Sequence, residues 1–226
     1  MNVAIVLPSL NRPAKLKRNL GNMLMQMLPA GVDRLIVSLA IQRTDAQTLT
    51  VANDLAVLWA DSDTDIIVAM RDPGTTCVQG FNLGYTAVRG AADWYVLSSD
   101  DQVYQPGWLA EALKVADETG AQVIGFNDGH TDIAHYAPHY MMHKDFIANH
   151  MYGWFVPPEY QTWWFDREVC ERAQAVGLYA PAWAAHVEHQ HPDWGTAELD
   201  DTHREAMPGR AADKLLYERR KAVQRA

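Results

Sequence analysis

The stretch Tyr95-Val-Leu-Ser-Ser-Asp-Asp-Gln-Val-Tyr-Gln-Pro-Gly-Trp108 joins a short apolar run to two adjacent carboxylates and a Pro-Gly turn. It reads as a buried strand that gives way to a loop carrying Asp100 and Asp101. The same strand-then-turn unit recurs on both sides. Upstream, strands are expected at Asn2–Leu7, Arg34–Leu39 and Ile66–Met70, followed by Trp94–Leu97. Helices are expected between them at Pro13–Met27, Asp45–Leu58 and Cys77–Arg89; in the first, Leu16, Leu20, Met23, Leu24 and Met27 follow a helical spacing. Downstream come a helix at Gly107–Thr119 and a strand at Val123–Phe126. Strands alternating with helices predict an α/β fold, a mostly parallel sheet with helices on both faces. Ligands in such sheets bind beyond the carboxyl ends of the strands, here Pro8–Arg12, Arg71–Gly74, Ser98–Asp101 and Asn127–His130.

The pattern changes after residue 130. His130–Pro158 is rich in His, Tyr, Met and Pro and yields no assignment. A helix returns at Phe165–Val176, then a strand at Tyr179–Val187, a polar stretch, and a basic helix from about Pro208. With no repeat and no linker, the expectation is one domain over 1–226, in three parts: 1–128, 129–209 and the basic helix 210–226.

Composition narrows the class. The 226 residues, 48% hydrophobic and 21% charged, can bury a full core and exclude a disordered chain, a collagen and a coiled coil. No apolar run approaches the ~20 residues that span a bilayer, and the first residues lack a signal-peptide layout. Cys77 and Cys170 show neither ligand nor framework spacing. A soluble, cytoplasmic protein is expected. The net charge of −9 is uneven, because Arg210, Lys214, Arg219, Arg220, Lys221 and Arg225 face only Asp213 and Glu218 in the last part. Two readings compete: a solvated helix that complements its own dipole, or a tail that touches phosphate.

Chemistry concentrates at three places. Asp100 and Asp101 are costly together unless something positive neutralises them, and a divalent metal carrying a diphosphate does so. An Asx turn followed by a helix cap explains the same residues without a metal. Asp166 follows Trp163-Trp164-Phe165, an apolar wall able to raise a carboxylate's pKa; a plain helix cap is the alternative. His186, His189 and His191 invite comparison with zinc sites but lack cysteine partners, so a hydrogen-bonded surface role stands beside a ligand role. His135, His139 and His143 share a helical spacing that Pro138 interrupts, which points to a loop near an acceptor.

The Asp100 segment resembles the metal-binding motif of the inverting family 2 glycosyltransferases of the GT-A fold. There an apolar strand ends in an acidic Asx-Asp-Asp triplet, followed shortly by Pro-Gly-Trp-Leu. Ser99-Asp100-Asp101 and Pro106-Gly107-Trp108-Leu109 match, with Ser99 standing where the family has its first acid. Val3-Ala-Ile-Val-Leu-Pro-Ser-Leu-Asn-Arg-Pro13 is similar to the family's nucleotide-contacting first strand. Phe81-Asn-Leu-Gly84, with Gly90-Ala-Ala-Asp-Trp-Tyr-Val after it, is similar to its Asn-x-Gly helix. Phe165-Asp-Arg-Glu-Val-Cys-Glu-Arg-Ala-Gln-Ala-Val-Gly177 is similar to the helix that begins at its catalytic base. The resemblance runs from residue 3 to about 191.

It implies a GT-A type, Rossmann-like fold whose first half, 1–128, binds a nucleotide-sugar and whose second, 129–209, receives the acceptor. Pro8, Ser9, Asn11, Arg12, Arg71 and Asn82 would hold the nucleotide, and Asp100 the ribose or the metal shell. Asp101 and His189 would bind Mn²⁺ or Mg²⁺, with His191 the neighbouring choice. Asp166 would deprotonate the acceptor hydroxyl, giving inversion, under a lid formed by Tyr152–Phe165. The family's acid after the second strand is missing from Ser38-Leu-Ala-Ile-Gln-Arg-Thr44, so a UDP-sugar is not assumed. The expected acceptor is a glycan or lipid-linked sugar, or a 5-hydroxymethylpyrimidine in DNA as in phage enzymes. A nucleotidyltransferase and a non-catalytic nucleotide- or sugar-binding module are the alternatives.

Overall fold

The computed structural model describes residues 1–224. Eight strands form one sheet: β1 (Asn2–Ser9), β2 (Arg34–Gln42), β3 (Thr64–Arg71), β4 (Trp94–Leu97), β5 (Gln102–Tyr104), β6 (Val123–Asn127), β7 (Tyr140–His143) and β8 (Tyr179–His189). Their spatial order is β3-β2-β1-β4-β7-β6-β8-β5. The first four are parallel; β7 enters antiparallel between β4 and β6, and β5 closes the far edge antiparallel to β8. The helices are α1 (Pro13–Leu24), α2 (Ala46–Leu58), α3 (Cys77–Val88), α4 (Trp108–Thr119), α5 (Lys144–His150), α6 (Phe165–Ala175), α7 (Asp201–Ala206) and α8 (Arg210–Gln224).

β1 is an unbroken apolar run because both its faces are covered, as a central parallel strand requires. One core layer packs α1, α2 and α4 on the sheet; the other packs α3, α5 and α6, with Tyr217 of α8 at its margin. Pro13 opens α1 at a position where its missing N–H costs nothing. A reciprocal Thr76–Gln79 capping box opens α3 beside the strand ends. Gly84 lets that helix lie against the sheet, since a Cβ there would sit 3.0 Å from Val6 Cγ1.

Several expected boundaries move. α1 stops at Leu24, and Met25 and Met27 are exposed beyond it. β7 arises in the segment that gave no pattern, because Tyr140, Met141 and Met142 are buried and a strand covered on both faces shows no alternation. β8 runs on to His189, past the expected end at Val187, because β5 pairs with it, Gln102 opposite His189. The expected lid is anchored in the core at its middle: Phe155, Val156 and Tyr160 are buried, and Asn82 holds both backbone amides of 155 and 156 and the carbonyl of Val156, while Tyr152 and Trp154 are exposed.

Three basic residues of the C-terminal helix pair within the protein, while Lys214 and Arg219 are exposed. Arg220 pairs with Glu168 and Glu159, Lys221 with Glu171, and Arg210 with Asp193. Arg225 lies outside the described residues. No described helix is long and apolar enough to cross a membrane.

Gly125 on β6 has no room for a methyl group: a Cβ there would overlap the Tyr179 hydroxyl and sit 2.7 Å from Ala137 Cβ. Gly125→Ala should destabilise the protein by about 1–3 kcal/mol through overpacking, read as a lower denaturant midpoint with an unchanged slope. An unchanged midpoint would show that the 133–137 segment yields freely.

Candidate active site

The carboxyl ends of β1, β3 and β4 and the end of β8 border a cavity of about 640 Å³. On its floor Asp100 and Asp101 follow β4, both buried. Ser9 Oγ donates to Asp100 Oδ2 at 2.6 Å, and Arg12 Nη1 donates to Asp100 Oδ1 at 2.9 Å and Asp101 Oδ2 at 3.3 Å. The Ser99 hydroxyl donates to Asp101, and Asn19 fixes the Asp100 carbonyl from α1. The far side of the Arg12 guanidinium is gripped by Asp200, at 2.9 and 2.8 Å, which also takes Lys15 at 2.9 Å.

Burial pushes Asp100 up to about 6 even though Arg12 opposes it, and the Asp101 charge adds to the rise. Burial would raise Asp101 too, but His189, Arg12 and the Ser99 hydroxyl outweigh it and hold that carboxyl well below the usual range. On acidification Asp100 therefore takes up the pair's first proton, and at neutral pH both carboxyls bear charge.

Four imidazoles run away from this floor: ring centroids lie 4.4 Å apart for His139–His189 and 4.9 Å apart for both His189–His191 and His191–His203. Burial holds His139 and His203 below the usual histidine range and His191 at about 4, so these three rings are neutral at pH 7. A divalent ion would need oxygen and nitrogen donors here. Asp101 Oδ1 and His189 Nε2 stand 3.7 Å apart, and His189 Nδ1 is buried without a partner. That carboxylate–imidazole pair suits such an ion, with its other ligands supplied by a substrate. Among the described residues no three His, Cys, Asp or Glu side chains converge into a ready metal site.

On the far side of Ser9 from Asp100, Arg71 is buried, donates to the Ser9 carbonyl at 3.2 Å and leaves its Nε without a partner. Burial lowers its pKa, and among the described residues no carboxylate pairs with it. Asn11 adopts φ 54, a left-handed turn that points its N–H at Asp45 Oδ2, 2.6 Å away. Asp45 also caps α2 through Thr48 N, so the first acid after β2 is engaged within the protein.

Asp166 stands at the second position of α6, after Trp164, whose φ of 70 turns the chain into the helix. Burial raises its carboxyl to about 6, against the helix-start N–H groups of Asp166 and Arg167 that lower it. Its wall is shared. A second cleft of about 220 Å³, lined by Tyr136, Trp163, Trp164, Trp194, Arg167 and Arg210, also meets Asp166, His189 and His191.

Pro8, Ser9, Asn11, Arg12, Arg71, Asp100, Asp101, Asp166 and His189 line one cavity. Asn82 does not: its amide is engaged with the 155–156 backbone. His186 is exposed on β8, and of His135, His139 and His143 only His139 reaches the cavity. Sequence reasoning missed Asp200 and His203. They sit in a polar stretch with only the N-cap spacing of Asp200 to mark them, and nothing local says that α7 folds back over Arg12.

Residues 1–172 match the family described as Glycosyltransferase like family 2. The chain belongs to that family. No curated protein matches the sequence. Among solved structures, the Pyrobaculum calidifontis mannosyltransferase PcManGT, in complex with GDP-Man and Mn²⁺, is similar at TM-score 0.63 and 14% identity over 83% of this chain and 56% of that one. S. aureus TarS 1-349 is similar at TM-score 0.65 and 12% identity over 90% and 68%, and its UDP-GlcNAc complex at 0.62 and 13% over 92% and 64%. The chain thus spans little more than half of the mannosyltransferase. These likenesses establish the GT-A fold for this family 2-like glycosyltransferase chain.

A carboxyl raised by burial destabilises the fold where it is ionised. For Asp166 the cost is absent below its ordinary pKa of 3.8, grows up to about pH 6, and is complete above. Asp166→Asn should therefore be more stable than the parent at pH 8, by roughly 1–3 kcal/mol, with the gap narrowing at pH 5. Urea unfolding at both pH values reads this, and a gap independent of pH would refute the raised pKa.

Proposed function

We propose that the chain is a metal-dependent, inverting glycosyltransferase that moves a sugar from a nucleotide-sugar donor to an acceptor hydroxyl. The observation that carries this reading is the position of Asp166, on the wall common to the cavity and the aromatic cleft, with its carboxyl raised to about 6. A general base needs that placement and a pKa just below the working pH.

In this reading Pro8, Ser9, Asn11, Arg12 and Arg71 hold the nucleotide, and Asp100 the ribose or the metal shell. Arg71 brings a buried N–H with no internal partner, suited to an acceptor atom on the donor. Asn82 supports this site only through the 155–156 backbone. Asp101 and His189 would hold Mn²⁺ or Mg²⁺, which would supply positive charge to the leaving diphosphate. Asp166 takes the acceptor hydroxyl proton, the acceptor oxygen bonds to the anomeric carbon, and the bond to the diphosphate breaks on the opposite face. Trp163 and Trp164 keep that reaction zone apolar, which disfavours donor hydrolysis. The mannosyltransferase bound to GDP-Man and Mn²⁺ and TarS bound to UDP-GlcNAc support a nucleotide-sugar donor and a divalent ion without choosing the nucleotide.

The acceptor is a saccharide, set against the aromatic cleft. DNA carrying a hydroxymethylated pyrimidine is the second reading, favoured by the flat rings of Trp163, Trp164 and Trp194. Charge argues against it: the net charge is −9, and Arg210, Arg220 and Lys221 are paired with the chain's own carboxylates. A cytoplasmic setting fits the two free cysteines.

A thermal-shift panel of nucleoside diphosphates and nucleotide-sugars, with Mn²⁺ or EDTA, tests the donor site. One nucleotide at 100 times its Kd should stabilise the protein by ~2.7 kcal/mol, with Mn²⁺ only. Absence of any shift would remove the donor reading. Asp101→Ala should lose the metal-dependent part of the shift. Asp166→Asn should abolish transfer and leave donor affinity within a few-fold, whereas a nucleotidyltransferase or a binding module predicts no such split. Normal turnover in Asp166→Asn would remove it from the mechanism.

A further inference from the structure

We infer that Asp213, on the C-terminal helix α8, is a positioning residue that shapes the loop carrying Asp166 into the site. The inference rests on the reading of Asp166 as the base. Asp213 is 2% exposed, and among the described residues no cation pairs with it. Its two oxygens instead accept three consecutive backbone N–H groups: Gln161 at 3.1 and 3.2 Å, Thr162 at 2.9 Å and Trp163 at 2.9 Å. Successive amides converging on one carboxylate form a nest, here filled from within the protein.

The loop needs this help. It leads into α6 without a side-chain cap, and it ends at Trp164 in a left-handed conformation that a bulky residue adopts only when its surroundings impose it. Those surroundings are mostly α8 and the segment before it. Tyr217 stacks on the Trp164 ring at 5.4 Å, Lys214 Nζ stands 5.7 Å from that ring, and the Trp163 indole donates to the Ala206 carbonyl at 3.0 Å. The Val78 amide pins the Gln161 carbonyl from α3 at 3.0 Å.

The same helix fixes α6 itself. Arg220 donates to both oxygens of Glu168 at 2.8 and 2.9 Å, while Lys221 and Tyr217 each reach Glu171 Oε1 at 2.6 Å. Asp166 is two residues beyond Trp164 and two before Glu168, so it lies between two sets of contacts made by α8. Asp213 is the one among them that acts on the backbone. It touches neither cavity and acts through the loop.

Asp213→Ala and Asp213→Asn in the full chain test this, with Glu218→Gln, an exposed change on the same helix, as control. Amide exchange at Gln161–Trp163 should quicken at least about tenfold in Asp213→Ala and less in Asp213→Asn, which keeps one acceptor oxygen. Transfer kcat should fall by about ten- to a hundredfold with donor affinity within a few-fold, since misplacing a catalytic group slows chemistry more than binding. The acid limb of the pH profile should move toward ordinary carboxylate values as Asp166 gains water. If Asp213→Ala does not fold, Asp213→Asn carries the same readouts. Unchanged exchange at 161–163 overturns the inference, as does lost protection with unchanged kcat. Failure of the base reading looks different: Asp166→Asn would then retain transfer, while the exchange result, which needs no reaction, would be unaffected.

Discussion

Two carboxylates buried side by side at the end of a strand demand positive charge, and much of the site is arranged around that demand. Arg12 meets it with a planar fork that reaches Asp100 and Asp101 from one edge and Asp200 from the other. A point charge such as lysine has no second edge to offer. Because Arg12 also binds Asp200, the same guanidinium that makes the Asp100–Asp101 pair tolerable ties α7 to the cavity wall, helped by Lys15 and by the Thr202 hydroxyl on the Leu10 carbonyl. Electrostatic neutralisation and the placement of α7 on the cavity wall are one interaction.

The far edge of the sheet solves a different problem. β5 has only Gln102, Val103 and Tyr104, too few to be stable alone, yet its pairing with β8 sets His189 opposite Gln102, directly after Asp101. Gln102 in turn reaches His139, so a short edge strand links the acidic floor to the imidazole row. The register shift of β8 against β6 between Phe126 and Asn127 bends the strand just before this point, as bulges near functional sites do.

Opposite that floor the apolar wall carries Asp166. Burial raises its carboxyl to about 6 and makes the ionised form a burden on the fold, while α8 ties down the helix that carries it through Glu168 and Glu171. Two basic residues of the last helix, Arg220 and Lys221, serve that task.

The alternation of strands and helices through residue 127 was legible because each element is set by local rules: apolar runs for buried strands, helical spacing, the Thr76–Gln79 box, and Pro and Gly at the turns. Asp100, Asp101 and Asp166 were legible as well, since carboxylates at strand and helix ends carry a local mark. Beyond residue 130 the local rules fall silent. β7 is buried on both faces and shows no alternation; Asn82 sits in a fitting motif yet its amide turns to a neighbouring loop; Asp200, His203 and Asp213 look like ordinary polar residues of exposed helices. What they do depends on which distant segment folds against them, Arg12 for two and Gln161–Trp163 for the third. The sequence by itself determined the layered sheet and the acids at its carboxyl edge, because period and turn chemistry act over a few residues. Only the tertiary structure decided which charges meet, because pairing across such separations follows from packing that no local pattern encodes.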